Sequence, residues 1–405
     1  MQLTRNGIIF IGGFPPSIAR LAEYNYEVVS SLAEKLASCG VRIIVLANKP
    51  DIFTTKSEIK LPTNAEVLYF WHAATTLSLP LKLIQLRRIG NILIISFYHG
   101  IFGRSSVANF LSTLSTLVTA KILRYKTITI LHTLPGLRED VFKYFTEILN
   151  YVYRLGTRII TLLILNLSHR VLLLVRAYRE ILLGSSPSLR FKIYYIPHGV
   201  PIYVRYNSKK LCCKDSITIA FIGLISPRKN LVSLVGALNK LRSSLNNSRV
   251  RLVLIGAPHP YLLDESFLLI RQIANNYIDV KYLGYLETKE LQDYIYKNTD
   301  MVILPYDAPT GTSGVAHITA PAATPIIMPS FIEYIELYKD GHGLKLYNAY
   351  SDDISTELVK SIYEILVNPL KYEELCRRAS SYAKKYSIAK TAIALLKHLI
   401  ELWKK

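Results

Sequence analysis

The sequence predicts an α/β protein built from two doubly wound, parallel-sheet domains, and three observations carry this. Short, continuous Ile/Val/Leu runs alternate with longer amphipathic ones, the pattern of a parallel sheet covered by helices on both faces. The alternation restarts after a polar, turn-prone stretch, YNSKKLCCKDS at Tyr206–Ser216. The chain has 405 residues, half of them hydrophobic, which is too long for one ordinary core and suits two domains of about 150–200 residues each. In such sheets ligands bind beyond the carboxyl ends of the strands, and two such domains are expected to face each other across a cleft.

In order along the chain, GIIFIGG reads as a first buried strand, and Ala22–Ser38 as a helix with apolar residues at Val28, Leu32 and Leu36. Strands follow at VRIIVLA, AEVLYFW and NILIISFYHG, then a helix over Val107–Leu123 and a strand at KTITILHT. Arg138–Leu165 reads as mostly helical, and RVLLLV and FKIYYIPHGV close the first domain, residues 1–205. The second domain, residues 206–385, opens with the strand SITIAFIGLI and a helix over Leu231–Ser243. VRLVLIGAP and VKYLGYL are strands, Lys289–Asn298 a helix and DMVILPY a strand. A loop with a short helix then leads to the strand TPIIMP.

Composition narrows the class. Cys39, Cys212, Cys213 and Cys376 show no CxxC or metal-ligand spacing, which fits a reduced, cytoplasmic compartment. The apolar run at the N-terminus is shorter than a signal-peptide core. Arg158–Val175 is strongly apolar, but Asn166, Ser168, His169 and Arg170 interrupt it. A spanning helix wants about 20 apolar residues and tolerates a central Arg poorly, so the stretch reads as a buried helix ending near Asn166 and then a strand. The formal net charge is +20. A solvated surface rich in Lys and Arg accounts for it, as do an anionic membrane surface, phosphorylated ligands or nucleic acid. No nucleic-acid-binding motif supports the last.

Three strand-end segments carry candidate chemistry. In LPYDAPTGTSGVAHITAPAATPIIMP, Leu304–Pro329, a buried strand runs into a Gly/Thr/Ser loop and a short helix starting near Ser313. Free N–H groups and the helix dipole favour an anion there. Gly311 and Gly314 permit close approach of a ligand, and Ser313 either caps the helix or donates to a phosphate oxygen. An ordinary strand–turn–helix connection has the same outline. FIGLISPRKN puts Arg228 and Lys229 after a strand and before a helix, where two cations suit a diphosphate as well as a solvated loop. GGFPPS, Gly12–Ser17, follows the first strand without GxGxxG spacing. His132 in ILHT and His99 in SFYHG end strands, where a histidine is either structural or a hydrogen-bonding group at the mouth of a cleft.

The order of GGFPPS, ILHT, IPHGV, FIGLISPRKN, LVLIGAP, VKYLGYL and LPY…TSGV…TPII resembles the retaining glycosyltransferases of group 1, often called family 4. IPHGV, Ile196–Val200, is the most specific piece. The resemblance implies a GT-B fold: two Rossmann-like domains, the second holding a nucleotide-sugar donor, with a last segment, 386–405, whose helix Ile388–Trp403 crosses back to the first. It implies that Lys229, with Arg228 beside it, binds the donor diphosphate. The loop residues Thr312, Ser313 and Gly314 would serve the distal phosphate, and Tyr285 and Leu286 would border the base. Gly13 would approach the diphosphate or sugar, and His132 would lie near the transferred sugar. The reaction implied is a retaining, metal-independent transfer, such as a mannosyl or glucosyl transfer, to a glycan or lipid-linked acceptor. The acceptor would attack from the leaving group's side, and Lys229, Arg228 and the helix start would stabilise the departing diphosphate. No cofactor beyond the donor substrate and no metal is implied. The expected location is cytoplasmic or peripheral on the inner face of a membrane.

The chain also departs from the family. Its two usual glutamates would fall near Thr310 or Gly311 and at Ile318, and neither position is acidic; a familiar Arg is Leu224. Asp307 is the nearest carboxylate, and Pro321 interrupts the helix after about two turns. A GT-B-shaped binding protein without turnover is the alternative reading.

Overall fold

The computed structural model describes residues 7–49, 54, 59–71, 78–98, 102, 106–134, 147–185, 187–204, 206, 209, 216–244, 249–260, 262–277, 279–309 and 311–404. The chain divides into two compact units. The first comprises 1–199, 388–405 and the short stretch 310–312; the second comprises 200–309 and 313–387.

The first unit runs β1 (Gly7–Ile11), α1 (Arg20–Leu36), β2 (Ile43–Asn48), β3 (Ala65–Trp71), α2 (Leu79–Leu86) and β4 (Gly90–Phe97). It continues through α3 (Ser106–Ile122), β5 (Lys126–Leu131), α4 (Glu147–Leu167), β6 (Arg170–Leu173), α5 (Arg176–Ser185) and β7 (Ile193–Tyr195). Its strands are parallel, in the order β3-β2-β1-β4-β5-β6-β7. Successive residues of each strand serve opposite cores. Ile8, Phe10, Ile43, Val45, Ile92 and Ile94 point to the core under α1. Ile9, Ile11, Ile44, Leu46, Leu93 and Ile95 point to the core under α2, α3, α4 and α5. This two-sided burial is why the strands read as unbroken apolar runs.

The second unit runs β8 (Ser216–Ile222), α6 (Leu231–Ser244), β9 (Arg249–Ile255), α7 (Leu263–Asn276), β10 (Val280–Gly284), α8 (Thr288–Asn298) and β11 (Met301–Ile303). Then come α9 (Gly314–Thr319), β12 (Ile326–Pro329), α10 (Ile332–Lys339), β13 (Leu344–Tyr347), α11 (Ile354–Leu366) and α12 (Pro369–Lys385). Its six strands are parallel in the order β10-β9-β8-β11-β12-β13. The last helix, α13 (Ile388–Trp403), belongs to the first unit. Leu395, Leu399 and Leu402 share its core with α1, the Thr391 hydroxyl donates to the Pro197 carbonyl at 2.9 Å, and Arg170 pairs with Glu401 at 2.6 Å.

Several elements differ from the sequence reading. The strand read at FKIYYIPHGV is confined to β7, and α2, α5, α7, α10, α11 and α12 were not read from the sequence. In α7 only Ser266, Leu269 and Ile273 are buried. Its exposed Phe267 and Leu268 blur the helical period. The apolar stretch of α4 is not buried on all sides: Leu155, Ile159 and Leu162 are exposed. No helix among the described residues is long and apolar enough to cross a membrane. The segments holding Cys212, Cys213 and the first part of Arg138–Leu165 lie outside the described residues.

Candidate functional site

In the second unit the strand order reverses beside β8, with β9 on one side and β11 on the other. That is the topological switch point where such sheets open a crevice beyond their strand ends. The strand ends there are shaped by glycines. Gly223 and Gly256 sit at φ +139° and +151°, and a Cβ on Gly256 would stand 1.9 Å from the Gly223 carbonyl oxygen. Past β8, a single 3-10 turn over Pro227–Lys229 places the two cations before α6. Arg228 is exposed and Lys229 half-buried. The Lys229 Nζ lies 4.0 Å from the centroid of the Tyr306 ring, just past β11. No carboxylate pairs directly with it among the described residues. Desolvation of its ammonium lowers its pKa from 10.5 to about 8, and the charge of nearby Asp307 opposes that fall. Tyr306 is buried, which raises its hydroxyl pKa, against a hydrogen bond from Ser313. One tyrosine thus touches both candidate loops, its ring facing Lys229 and its hydroxyl meeting Ser313.

The loop before α9 is tightly folded. Gly311 has φ +72° and Ser313 φ +58°. The left-handed backbone costs a residue with a Cβ about 1–2 kcal/mol, and Ser313 offsets part of that by capping α9, its Oγ accepting from the Ala316 N–H at 3.4 Å. The N–H groups of Gly314 and Val315 make no hydrogen bond among the described residues. Thr312 and Ser313 are buried and Gly314 is half-buried. The helix ends at Thr319, and a 3-10 turn over Ala320–Ala322 follows; Pro321 lacks the N–H an α-helix would require. Ile318 belongs to the hydrophobic core of this unit. Tyr285 and Leu286 follow Gly284 at the end of β10 and are half-buried.

The first unit has its own switch point between β1 and β4. There a chain of hydrogen bonds links the two residues singled out from sequence. The Asn25 Nδ2 donates to the Gly13 carbonyl at 2.8 Å. The Ser96 hydroxyl donates to the Asn25 Oδ1 at 2.7 Å, and its oxygen lies 2.9 Å from the His132 Nε2. Having given its one proton to Asn25, Ser96 accepts from His132. His132 is therefore the Nε2–H tautomer, and its Nδ1 keeps a lone pair that nothing bonds among the described residues. Burial first, and the neighbouring His198 second, lower the His132 pKa to about 3. Tyr24 separates the two imidazoles, edge-on to His132 at 5.5 Å and tilted over His198 at 4.2 Å. Gly12 is the glycine this arrangement requires, because a Cβ there would stand 2.8 Å from the Asn25 Nδ2. Gly13 has no such neighbour; the nearest atom to a Cβ is 3.7 Å away.

Comparison with solved structures identifies the architecture. The chain is similar over 99% of its length to all of a sucrose-phosphate synthase from Thermosynechococcus elongatus, with a TM-score of 0.74 at 14% identity. It is similar over 98% of its length to all of HepE from Anabaena in complex with UDP and glucose, with a TM-score of 0.70 at 15% identity. An α,α-trehalose 6-phosphate synthase from Burkholderia multivorans gives 0.69 at 11% identity, covering 99% of this chain and 97% of that one. The fold is GT-B. No protein-family model matches the chain, and no curated protein sequence is similar to it.

Within this GT-B chain, the sequence motifs fall into two groups, by the sheet whose strand ends they follow. Lys229, Arg228, Thr312, Ser313, Gly314, Tyr285 and Leu286 lie past strand ends of the second sheet, and Gly13 and His132 past strand ends of the first. His99 and Thr310 lie outside the described residues. Asn25, Ser96 and Tyr306 were missed. A polar Asn in the apolar stripe of α1 and a lone Ser in the apolar β4 were the signals available. The hydrogen-bond chain makes a prediction. Ser96→Ala removes the acceptor for His132 Nε2–H, so the fixed tautomer becomes a mixture. Nitrogen-15 NMR of the imidazole reads this directly, and an unchanged Nε2–H signature in Ser96→Ala would show that Ser96 does not set it.

Proposed function

We propose that this chain is a glycosyltransferase that takes a sugar from a nucleoside-diphosphate sugar and passes it to an acceptor hydroxyl. The observation that carries the reading is Lys229, a cation held at a desolvation cost at the β8–β11 switch point with no carboxylate bonded to it among the described residues. An anionic ligand returns that cost, because a diphosphate desolvates into a site already carrying positive charge. The solved neighbours include a protein bound to UDP and glucose, which favours a nucleotide-sugar donor. On this reading Lys229, Arg228 and the N–H groups of Gly314 and Val315 stabilise the departing diphosphate. Tyr285 and Leu286 border the base, Gly13 approaches the diphosphate or sugar, and the neutral His132 accepts a hydroxyl of the sugar at Nδ1. The acceptor oxygen bonds to the anomeric carbon on the face the diphosphate leaves, its proton passes to the leaving phosphate, and the configuration is retained. The donor is a substrate rather than a cofactor, the sugar a hexose such as mannose or glucose, and no metal takes part. The acceptor is a glycan or lipid-linked hydroxyl, and the enzyme works in the cytoplasm at an anionic membrane face.

Thermal-shift and calorimetric titration with UDP, GDP and ADP and their glucose and mannose conjugates test this, since a native-state ligand raises apparent stability. Binding of one nucleoside diphosphate is expected, with release of sugar of unchanged anomeric configuration, insensitive to chelator. No binding by any of them would end the proposal. The lowered Lys229 pKa adds a pH signature. Its protonated form binds the anion, so affinity holds below about pH 8 and falls above it, by about tenfold per pH unit once deprotonation dominates. A pH-independent affinity between 7 and 10 would remove Lys229 from the site.

A second reading, a GT-B-shaped binding protein without turnover, is favoured by the absence of a carboxylate at Gly311 and Ile318. It predicts saturable donor binding with neither hydrolysis nor transfer.

A further inference from the structure

Helices α2, α3 and α4 lie side by side on one face of the first sheet, with α3 between the other two. Their inner residues fill the core, and their outer residues carry an unusual load of apolar surface. In α2, Leu81 and Ile84 are 64% and 53% exposed. In α3, Leu111 and Ile122 stand out at 45% and 73%. In α4, Tyr151, Leu155, Ile159 and Leu162 form one stripe at helical spacing, all exposed. Contiguous outward apolar residues of this kind mark an interaction surface.

The charge on them is predominantly positive: Glu147, at the start of α4, is the one acidic residue within the three helices. No Asp or Glu occurs between Glu66 and Glu139, nor between Glu147 and Glu180. Arg88, Lys121, Arg124 and Arg158 are exposed on these helices or at their ends. Around His169, just past α4, the combined charge of Lys192, Lys126 and Lys121 adds to burial in lowering the imidazole pKa. The exposed apolar residues Phe267 and Leu268 of α7 offer a contrast of degree, because two carboxylates, Asp264 and Glu265, open that one helix, against the single Glu147 across α2, α3 and α4.

We infer that the α2–α3–α4 face of the first unit seats on an anionic lipid bilayer, its apolar side chains entering the headgroup region and its Lys and Arg side chains meeting lipid phosphates. An interfacial apolar surface flanked by cations gains from both terms together. A second copy of the chain is a poor occupant, because a symmetric pairing would set these cations against their own images with Glu147 the one carboxylate on the three helices to offset them. The inference deepens the membrane part of the proposed function and is independent of the donor chemistry.

The test is flotation with vesicles of phosphatidylglycerol and phosphatidylcholine in equal parts, against vesicles of phosphatidylcholine alone. The protein is expected to float with the anionic vesicles at low salt, at least about tenfold more than with neutral ones, and to be released at high salt. The double variant Leu155→Glu/Leu162→Glu, at two exposed positions, should lose roughly tenfold in bound fraction, with an unchanged unfolding curve. Leu268→Glu, on the second unit, should bind as the unaltered protein does. Equal flotation with both vesicle types, or equal loss in both variants, would overturn the inference. So would a dimer in light scattering that Leu155→Glu/Leu162→Glu dissolves. Nucleotide titration without vesicles is run on the same samples, so a failure here is separable from a failure of the donor reading.

Discussion

Lys229→Ala is expected to weaken nucleoside-diphosphate binding by about 1.5–3 kcal/mol, roughly 10- to 150-fold, while the protein stays folded. The size follows from removing a charge-assisted contact in a partly dehydrated site. The sign of the stability change is the sharper part. The Lys229 ammonium is partly withdrawn from water, so its pKa falls, and its compensation in the unliganded protein is the Tyr306 ring 4.0 Å away together with the charge of nearby Asp307. A cation–π contact contributes about 0.5–2 kcal/mol, which offsets the desolvation only in part. Truncation should therefore leave the melting temperature level or slightly raised, as expected of a residue kept for binding at a cost to the fold. Arg228→Ala, at an exposed position, should cost less than tenfold. Titration calorimetry beside thermal unfolding on both variants separates the outcomes. A Lys229→Ala protein that melts several degrees lower with its nucleotide affinity intact would assign the residue a structural role.

The fold was legible because two-sided burial imposes a simple code. Strands such as β1, β8 and β12 must be apolar on both faces, and their spacing leaves room only for crossover helices. Helices with a narrow inner stripe carried a weaker code. In α7 three buried residues compete with two large exposed apolar ones, and in α4 the outward stripe Leu155, Ile159, Leu162 made a surface helix read as a buried one. For the site, the strand-end segments were visible because glycines and cations stand out against apolar runs. Their connections were not. Nothing in LPYDAP tells that Tyr306 faces Lys229, and nothing in a single Asn within α1 or Ser within β4 tells that they meet at 2.7 Å. Such pairings are set by strand order, which brings β1 beside β4 and β8 beside β11 across long stretches of chain.

Ile318→Glu is expected to destabilise the second unit by several kcal/mol, because it places a carboxylate in a packed core. Position 318 is where the resemblance would put an acidic residue to hold a donor ribose, so the substitution asks whether this site has lost a contact or never had room for it. Ile318 is 6% exposed and packs with the core of the sheet, and its carbonyl accepts from the buried Gln292 Nε2 at 3.0 Å. The same Nε2 lies 2.8 Å from the Pro201 carbonyl, so the backbone here is held in place and cannot readily turn the side chain outward. Position 311, the other candidate, has φ +72°, where any L side chain is strained. Burial would raise the pKa of the introduced carboxyl above its unfolded value of about 4.3. The part of the penalty due to ionisation is then small below about pH 4, where the group is largely protonated in both states, and grows as pH rises through the unfolded value towards the folded one. Urea unfolding of Ile318→Glu against Ile318→Gln at pH 4 and pH 7 reads this, with the two variants close together at the lower pH and separated at the higher. A stable Ile318→Glu protein with tightened donor affinity would instead show that the position faces the ligand and that a ribose contact is open to restoration.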